Sequence, residues 1–383
     1  MKIAHFADIH YRLKDLDEIH NCFSSAIDNA IQEKCDCAVI AGDLWDSSTL
    51  LEHDTVMKAV SNIEKLANAM PVLMIYGTKS HDRPGSLDIF PALATAFDIY
   101  VAKQIEQIVL TADGELTLFD DHPAGEKIAI LFSCLPSVTK AYLLSRRYLD
   151  IAESQAEVKE LLFDVFRGFG QNNTAVDCPT ILVAHGTVTG SETSSGQIMV
   201  GKDIEFGLDD LKQAQADIVM LGHIHKRQSR DNVFYSGSIS RLDFGEEEAK
   251  GFLIHDITDQ THRFIETPSR RRITIEIDPQ NPQVPEGLDG ALVKVRYRVN
   301  EEDAHIIEEG EIEGLLPKTC GVVVEKTIIP TQRIRAEGIS KIKSLSEKIV
   351  MWGKAVGKEI PEGVLDKVVM VEEMSADQIA ERY

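Results

Sequence analysis

Carboxylate, imidazole and hydroxyl side chains follow the apolar segments of this sequence at five separate places. These residues are Asp8, His10, Asp43, Asp46, Ser80, His81, His185, His223 and His225. Carboxylates and imidazoles without thiolates are ligands that suit divalent manganese, iron or zinc. The set is large enough for two metal ions that share one bridging carboxylate, an arrangement that hydrolyses phosphate esters. The residues alone therefore predict a two-metal site of that chemistry, although a single Asp-x-His or His-x-His would be a weak signal.

Five apolar segments that are typical of buried strands must position these side chains. They span 3–7, 37–41, 71–76, 180–184 and 218–221. Helical periodicity at 17–33 and 53–69 separates the first three, and this order predicts a parallel sheet with its site at the carboxyl ends of the strands. Alternate residues of an extended chain point the same way, so Asp8 with His10, and His223 with His225, should each share a cavity.

The remaining segments predict a different organisation. Short β-like runs between 97 and 134 indicate antiparallel strands, and 140–168 has a helical pattern. The composition changes near Pro268, and the sequence then predicts a small α/β unit followed by helices. We therefore expect three parts: a catalytic domain at 1–268, an α/β domain at 269–332, and a helical segment at 333–383.

Bulk composition limits the classes of partner. The 383 residues carry a net charge of −22, which argues against a basic surface that covers nucleic acid or an anionic membrane. Any contact with nucleic acid would have to be local, assisted by metal, or supplied by a partner. The six cysteines lack metal-finger spacing, the N-terminus does not resemble a signal peptide, and no run is long enough to cross a membrane. We expect a reduced, cytoplasmic chain.

Several motifs together resemble the calcineurin-like metallophosphoesterase superfamily. They are Asp8-x-His10, Gly42-Asp43-x-x-Asp46, the 77–82 segment, His185-Gly186 and Gly222-His223-x-His225. Two longer stretches, 216–226 and 235–252, are similar to the SbcD-type DNA nuclease subunits within that superfamily. The resemblance covers residues 1 to about 268 and extends more loosely beyond. It implies a four-layer α/β/β/α fold, in which a β-sandwich is flanked by helices, and it implies that the α/β unit is a DNA-capping domain.

The resemblance also implies roles for individual residues. One metal would be held by Asp8, His10, Asp43 and His225, and the second by Asp43, Ser80, His185 and His223. His81 would protonate the leaving oxygen or steady the phosphate, and Asp46 would orient His81. The metal ions are expected to be two divalent cations of the manganese type. Contacts with DNA are expected from Lys226, Arg227 and Arg241.

The sequence departs from the family pattern at one ligand. The family has Gly-Asn-His, whereas this chain has Gly77-Thr78-Lys79-Ser80-His81, with two extra residues and Ser80 at the position of the asparagine. A serine hydroxyl is a shorter and weaker ligand than an amide carbonyl, so the second metal could be held loosely or through water.

Three functions remain open from the sequence. The resemblance favours a DNA exonuclease and endonuclease subunit that acts in DNA repair and recombination with an SbcC-type coiled-coil ATPase. It also implies a homodimer within a heterotetramer. A phosphodiesterase for small nucleotides is the second possibility, but it leaves the second domain and the helical segment unexplained. The third is a scaffold subunit whose altered Ser80 loop has weakened catalysis.

Overall fold

Two β-sheets that pack face to face form the centre of the computed structural model of this chain. The structure describes residues 1–46, 52–123, 125–137, 154–194, 205–278, 281–304, 309–318, 321–330, 338–375 and 378–379. Contacts divide the chain into two units. The first comprises Met1–Ile277, Gln283–Arg296 and Ile312–Glu325, and the second comprises Asp278–Pro282, Tyr297–Glu311 and Lys326–Tyr383. The domain boundaries expected at 268 and 332 stay predictions.

The first sheet has six strands in the order β15-β14-β1-β2-β3-β4. The strands are β1 (Lys2–Phe6), β2 (Cys37–Ile40), β3 (Val72–Ile75), β4 (Ile99–Ala102), β14 (Gly251–Asp256) and β15 (Thr261–Glu266). Strands β1 to β4 run parallel, while β14 is antiparallel to both β1 and β15. The predicted parallel arrangement of the first three strands is thus present, and it brings their carboxyl ends to one edge.

The second sheet has seven strands in the order β12-β13-β11-β8-β7-β5-β6. They are β5 (Glu106–Thr111), β6 (Leu116–Leu118), β7 (Ile128–Leu135), β8 (Thr180–His185), β11 (Ile218–Gly222), β12 (Gln228–Arg230) and β13 (Val233–Tyr235). Strands β7, β8, β11 and β13 are parallel, and β5 pairs antiparallel with β6 and β7. The antiparallel strands expected between 97 and 134 are therefore found, except that β4 joins the first sheet in parallel.

Helices cover the outer faces of both sheets. They are α1 (Leu16–Gln32) and α2 (His53–Ala67) on the first sheet, and α3 (Ser154–Asn173) and α4 (Leu208–Lys212) on the second. The helix expected at 140–168 corresponds to α3, and its residues before 154 lie outside the described part of the chain.

Three apolar layers lie between the four layers of secondary structure: one between the two sheets, and one between each sheet and its helices. In β8, Ile181 and Val183 face the other sheet, while Leu182 faces α3 and α4. Strands buried on both faces read as continuous apolar runs, which is why these segments were recognisable in the sequence. The result is the four-layer α/β/β/α architecture that was expected.

The remaining elements are shorter. Strands β9 (Thr187–Val188) and β10 (Glu205–Phe206) form a parallel pair. A three-stranded sheet has the order β16-β17-β18, with strands β16 (Arg272–Glu276), β17 (Leu292–Asn300) and β18 (Gly321–Ile329). Helices α5 (Glu309–Gly314), α6 (Leu345–Ala355) and α7 (Glu362–Glu373) are the longer helices described after residue 278. None of the described helices has the length and apolar character required to cross a bilayer.

Candidate metal centre

Loops from both sheets meet where the central parallel strands end. Asp8 and His10 follow β1, Asp43 follows β2, and the 77–82 loop follows β3 of the first sheet. His185 ends β8 and His223 follows β11 of the second sheet. The junction is fixed by two bonds between the sheets: His185 Nδ1 contacts Ala41 O at 2.8 Å, and His223 N–H donates to both Asp8 carboxylate oxygens at 3.0 Å.

The backbone at this junction is strained. Eight described residues other than glycine have a positive φ, and four of them are Asp8, His10, Asp43 and His223, with φ of 51°, 53°, 54° and 101°. Such conformations are costly for residues with a Cβ and persist where the surrounding structure enforces them, often at functional sites. Here the strain turns consecutive strand ends inward, so the side chains converge although the chain is no longer extended.

Two glycines allow the ligand-bearing segments to approach one another. A Cβ on Gly77 would lie 2.0 Å from Asp43 Oδ1, and a Cβ on Gly222 would lie 2.1 Å from the Ala41 carbonyl oxygen. Neither separation is sterically possible, so only glycine permits these contacts. The glycines that precede Thr78 and His223 are therefore part of the geometry of the site.

The first cluster consists of Asp8, His10 and His225. His10 Nε2 and His225 Nε2 face each other at 3.1 Å, and Asp8 Oδ1 lies 4.0 Å from His10 Nε2. Asp8 is fully buried and His10 nearly so, and all three groups offer ligand atoms within 4.8 Å of one another. Two imidazole nitrogens that point at each other beside a carboxylate are suited to a shared cation.

The second cluster consists of Asp43, His185 and His223, whose ligand atoms also lie within 4.8 Å of one another. Asp43 Oδ2 is 3.3 Å from His185 Nε2 and 3.9 Å from His10 Nε2 of the first cluster. The carboxylate of Asp43 therefore stands between the two clusters. His223 and His225 were expected to share one cavity. In the structure His225 belongs to the first cluster and His223 to the second.

Burial and neighbouring charges shift the pKa values of three cluster histidines in different directions. Burial, together with the charge of His225, lowers the pKa of His10 well below its usual value, and burial and His185 lower the pKa of His223 to about 3. Both imidazoles are thus neutral donors. Burial alone would lower the pKa of His185, but the charge of Asp43 outweighs it and raises that pKa to about 10.

The donor set fits divalent cations. His185 Nε2 is buried and makes no hydrogen bond among the described residues, although it points toward Asp43. A proton on this nitrogen, favoured by the Asp43 charge, occupies the place that a cation would take. Because His185 Nδ1 contacts Ala41 O, loss of the proton from Nε2 would leave a lone pair directed into the cluster, as in many metal-bound histidines.

His81 lies beside the first cluster and is half-buried. Its ring packs edge-on against His10, with ring centroids 4.6 Å apart. His81 Nδ1 contacts the main-chain carbonyl oxygen of Asp46 at 2.6 Å, which leaves Nε2 as the accessible nitrogen. The orienting atom is therefore the backbone oxygen of Asp46, whereas its carboxylate lies 3.3 Å from Arg12 Nη1 and 3.7 Å from His10 Nδ1.

The 77–82 loop places Thr78, rather than Ser80, against the second cluster. Thr78 N–H donates to Asp43 Oδ1 at 2.7 Å, and Thr78 Oγ1 lies 3.1 Å from the same oxygen. Ser80 is exposed, and its hydroxyl donates to Thr78 Oγ1 at 3.2 Å. The Ser80 hydroxyl thus contacts Thr78, and the first of the extra loop residues supports the Asp43 carboxylate, while the ligand role expected of Ser80 stays a prediction.

Asp82 is a site residue that sequence reasoning missed. It is 1 % exposed, and its carboxylate accepts hydrogen bonds from the backbone N–H groups of Asp43, Trp45 and Gly77 at 2.8, 3.2 and 2.8 Å. Burial and the neighbouring charge of Asp43 raise the pKa of Asp82 to about 7. Asp82 therefore joins the loops after β2 and β3. Its place directly after His81 was the only sequence signal.

The three expected DNA contacts have different surroundings. Arg241 is 8 % exposed, and its guanidinium donates to the carbonyl oxygens of Glu246, Glu248 and Ser269, so its donors serve the fold. Lys226 forms an ion pair with Glu192 at the surface. Arg227 is exposed and lies over the Phe264 ring at 4.6 Å. Of the three, Arg227 is the most accessible to a phosphate.

Comparisons with known proteins identify the family. A profile of the calcineurin-like phosphoesterase family matches residues 1–227. The chain is 27% identical over 270 residues to the SbcD subunit of the nuclease SbcCD of Staphylococcus epidermidis, a match that spans 67% of this chain and 66% of that relative. A dimetal phosphatase from Danio rerio aligns with a TM-score of 0.39 at 10% identity, over 66% of this chain and 91% of that one.

Proposed function

Because the chain belongs to the calcineurin-like phosphoesterase family, we propose that it is a metal-dependent DNA nuclease that hydrolyses phosphodiester bonds. The proposal includes exonuclease and endonuclease action in DNA repair and recombination. The likeness to a nuclease subunit supports a nucleic acid as the substrate, and we propose that this nucleic acid is DNA. The observation that carries the proposal is the position of Asp43, whose Oδ2 lies 3.3 Å from His185 Nε2 and 3.9 Å from His10 Nε2.

We assign the metal ligands by the two clusters. Asp8, His10 and His225 would hold one divalent cation, His185 and His223 would hold another, and Asp43 would bridge them. Bound cations supply Lewis-acid stabilisation of the phosphate charge and lower the pKa of water, and manganese suits these donors. Ser80 was expected as a further ligand, and Thr78 supports Asp43 at that place in the structure.

His81 is proposed to act on the leaving oxygen. Its Nδ1 is engaged by the Asp46 carbonyl oxygen, so Nε2 is free to donate a proton or a hydrogen bond to the phosphate ester. His81 is half-buried, so its ring is accessible to a substrate. Arg227 and Lys226 would contact the DNA backbone. For Arg241, which was also expected to contact DNA, we propose instead that it supports the loop at 246–248, to whose carbonyl oxygens it donates.

A partner protein is part of the proposal. The name of the Staphylococcus relative is that of one subunit in a larger nuclease, and we propose an SbcC-type coiled-coil ATPase and a homodimer within a heterotetramer for this chain. Helices α6 and α7 expose Leu345, Trp352, Val364 and Val371 at 40–61 % of their surface. Such apolar exposure in two neighbouring helices is suited to a protein partner. We propose that this assembly acts in the cytoplasm.

The test is Mn²⁺-dependent cleavage of labelled linear and hairpin DNA by the wild type and by His81→Asn, with a small chromogenic phosphodiester measured in parallel. We expect the variant to lose roughly 10²–10⁴-fold in rate, the range for a general acid, while its Mn²⁺ binding is unchanged. Turnover of the small diester without DNA cleavage, even with the ATPase added, would favour a small-nucleotide phosphodiesterase. Equal behaviour of both proteins in every assay would favour a scaffold subunit.

A further inference from the structure

A buried ion pair lies directly behind the first metal cluster. Glu246 is 0 % exposed and Lys250 is 1 % exposed, and Lys250 Nζ lies 3.2 Å from Glu246 Oε2. A charged side chain almost never loses all contact with water unless it is paired, because its desolvation is costly. An apolar pair of similar volume would generally stabilise a protein at least as well. Stability alone therefore does not explain why a charged pair occupies this position.

The pair is oriented toward His225. Glu246 Oε2 accepts a hydrogen bond from Leu242 N–H at 2.8 Å, in addition to its contact with Lys250. Its second oxygen, Oε1, is buried, receives no hydrogen bond from the described residues, and lies 3.6 Å from His225 Nδ1. One oxygen thus fixes the carboxylate in place, and the other faces the imidazole.

Lys250 also fixes the backbone of His225. Its Nζ donates to the His225 carbonyl oxygen at 3.1 Å, and it also contacts Glu248 Oε1 at 2.8 Å and Ser194 Oγ at 3.5 Å. Ser238 N–H donates to the same His225 oxygen at 3.1 Å. The segment at 238–250 therefore fixes the main chain of His225 and places a carboxylate oxygen beside its ring.

We propose that Glu246, held by Lys250, is a positioning residue for His225. A negative charge beside Nδ1 favours the tautomer that carries its proton there, which leaves the Nε2 lone pair for the cation in the first cluster. In the second cluster, the Ala41 carbonyl oxygen performs this role for His185. The inference rests on the proposed metal centre and concerns only one of its two sites.

The test is Mn²⁺ binding to the full chain by titration calorimetry, with thermal unfolding measured on the same samples. The variants are Glu246→Gln, Lys250→Met and the double variant Glu246→Gln/Lys250→Met. Glu248→Gln is the matched control because it also contacts Lys250 but does not reach His225, and His225→Asn is the reference for a lost site. We expect Glu246→Gln to weaken one of two sites about 10- to 100-fold and to leave the other unchanged.

The double variant separates positioning from stability. It leaves no unpaired buried charge, so its thermal midpoint should exceed that of Lys250→Met, while its first site should remain as weak as that of Glu246→Gln. Recovery of tight binding together with stability would overturn the proposal, as would wild-type affinity in Glu246→Gln. A wild type that binds fewer than two ions would instead contradict the proposed metal centre.

A second readout does not depend on metal. Long-range ¹H–¹⁵N spectra of chelator-treated protein report which ring nitrogen of each histidine is protonated, and His225→Asn assigns the signal of His225. We expect Nδ1 to be protonated in the wild type and in Glu248→Gln, with a shift toward the Nε2–H form in Glu246→Gln. An unchanged tautomer in Glu246→Gln would refute the mechanism even if the affinity changed.

Discussion

This protein has two groups of histidines whose ring nitrogens lie at similar short distances but whose surroundings differ. The metal-centre histidines are His10, His185, His223 and His225. The inter-strand histidines are His5 on β1, His255 on β14 and His262 on β15. His255 Nδ1 lies 2.8 Å from His262 Nδ1, and His255 Nε2 lies 3.3 Å from His5 Nδ1. These separations are similar to the 3.1 Å between the two Nε2 atoms in the first cluster.

The difference lies in what stands between the imidazoles. Asp8 and Asp43 accompany the metal-centre histidines, and loop backbones with positive φ aim several lone pairs at common points. The inter-strand histidines occupy regular strands and contact one another and the Phe234 ring. Among the described residues, the groups that could hold a metal contain none of the three. Contact between histidines therefore does not by itself make a candidate site in this protein, and the convergence of ligand atoms distinguishes the two groups.

The largest expected effect comes from removal of the carboxylate between the clusters. Asp43→Asn should abolish binding of at least one Mn²⁺ ion and reduce diester hydrolysis by on the order of 10³-fold or more, because several kcal/mol of charge stabilisation are lost. Calorimetry and turnover of a chromogenic diester check both. His255→Gln is the matched control from the other group and should keep both ions. Metal loss in His255→Gln would show that the inter-strand histidines also contribute to metal binding.

The second prediction concerns the backbone that aims the ligands. Asp82→Asn keeps the shape of the side chain but replaces an acceptor by a donor facing backbone N–H groups. We expect a loss of about 2–4 kcal/mol in unfolding free energy, measured by urea denaturation above pH 7 where Asp82 is ionised, because buried N–H groups lose a charged acceptor. Asp88→Asn, an exposed carboxylate in the same region, should change stability by less than about 1 kcal/mol. Equal effects would contradict a specific role for Asp82.

The third prediction concerns the pH dependence of stability that the inter-strand histidines produce. Burial lowers the pKa of His5 to about 3 and the pKa of His255 well below its usual value. The unfolded chain, with histidine pKa near 6.5, binds more protons, so stability falls as the pH drops below about 6.5 and keeps falling toward the folded pKa. For each buried histidine the loss between pH 6.5 and 5 is at most about 2 kcal/mol.

The measurement is the pH dependence of urea unfolding with a chelator present. The slope between pH 6.5 and 5 should be smaller for His255→Gln than for the wild type, because one proton-binding difference is removed. The slope of unfolding free energy against pH is compared because the substitution also changes stability by an amount that does not depend on pH. Identical slopes would show that His255 is not held in its neutral form.

The smallest expected effect distinguishes Thr78 from Ser80. Thr78→Ala removes a hydroxyl 3.1 Å from Asp43 Oδ1 but keeps the backbone donor, so Mn²⁺ affinity should fall by roughly five- to tenfold, about 1 kcal/mol. Ser80→Ala should leave affinity unchanged, since its hydroxyl is exposed. A larger loss in Ser80→Ala would restore Ser80 as a ligand. Titration calorimetry resolves the two outcomes.

The linear sequence was sufficient to predict the central strands and the edge at which the candidate site lies. Continuous apolar runs identified strands β1, β2, β3, β8 and β11, and polar residues after each run identified the edge at which they end. Both signals are local, since burial on two faces excludes polar side chains and a parallel sheet gathers its carboxyl ends at one edge. The family motifs are also local, because each is a short run of residues at the end of one strand.

Only the tertiary structure decided which atoms meet. The Asp46 carbonyl oxygen rather than its carboxylate holds His81, Thr78 rather than Ser80 supports Asp43, and Arg241 is used by the fold. The strand rule that predicted a shared side for Asp8 and His10 does not apply to residues with φ near +50°, yet they converge because partners on the other sheet enforce that turn. Side-chain direction in loops depends on distant partners, and a linear pattern does not contain them.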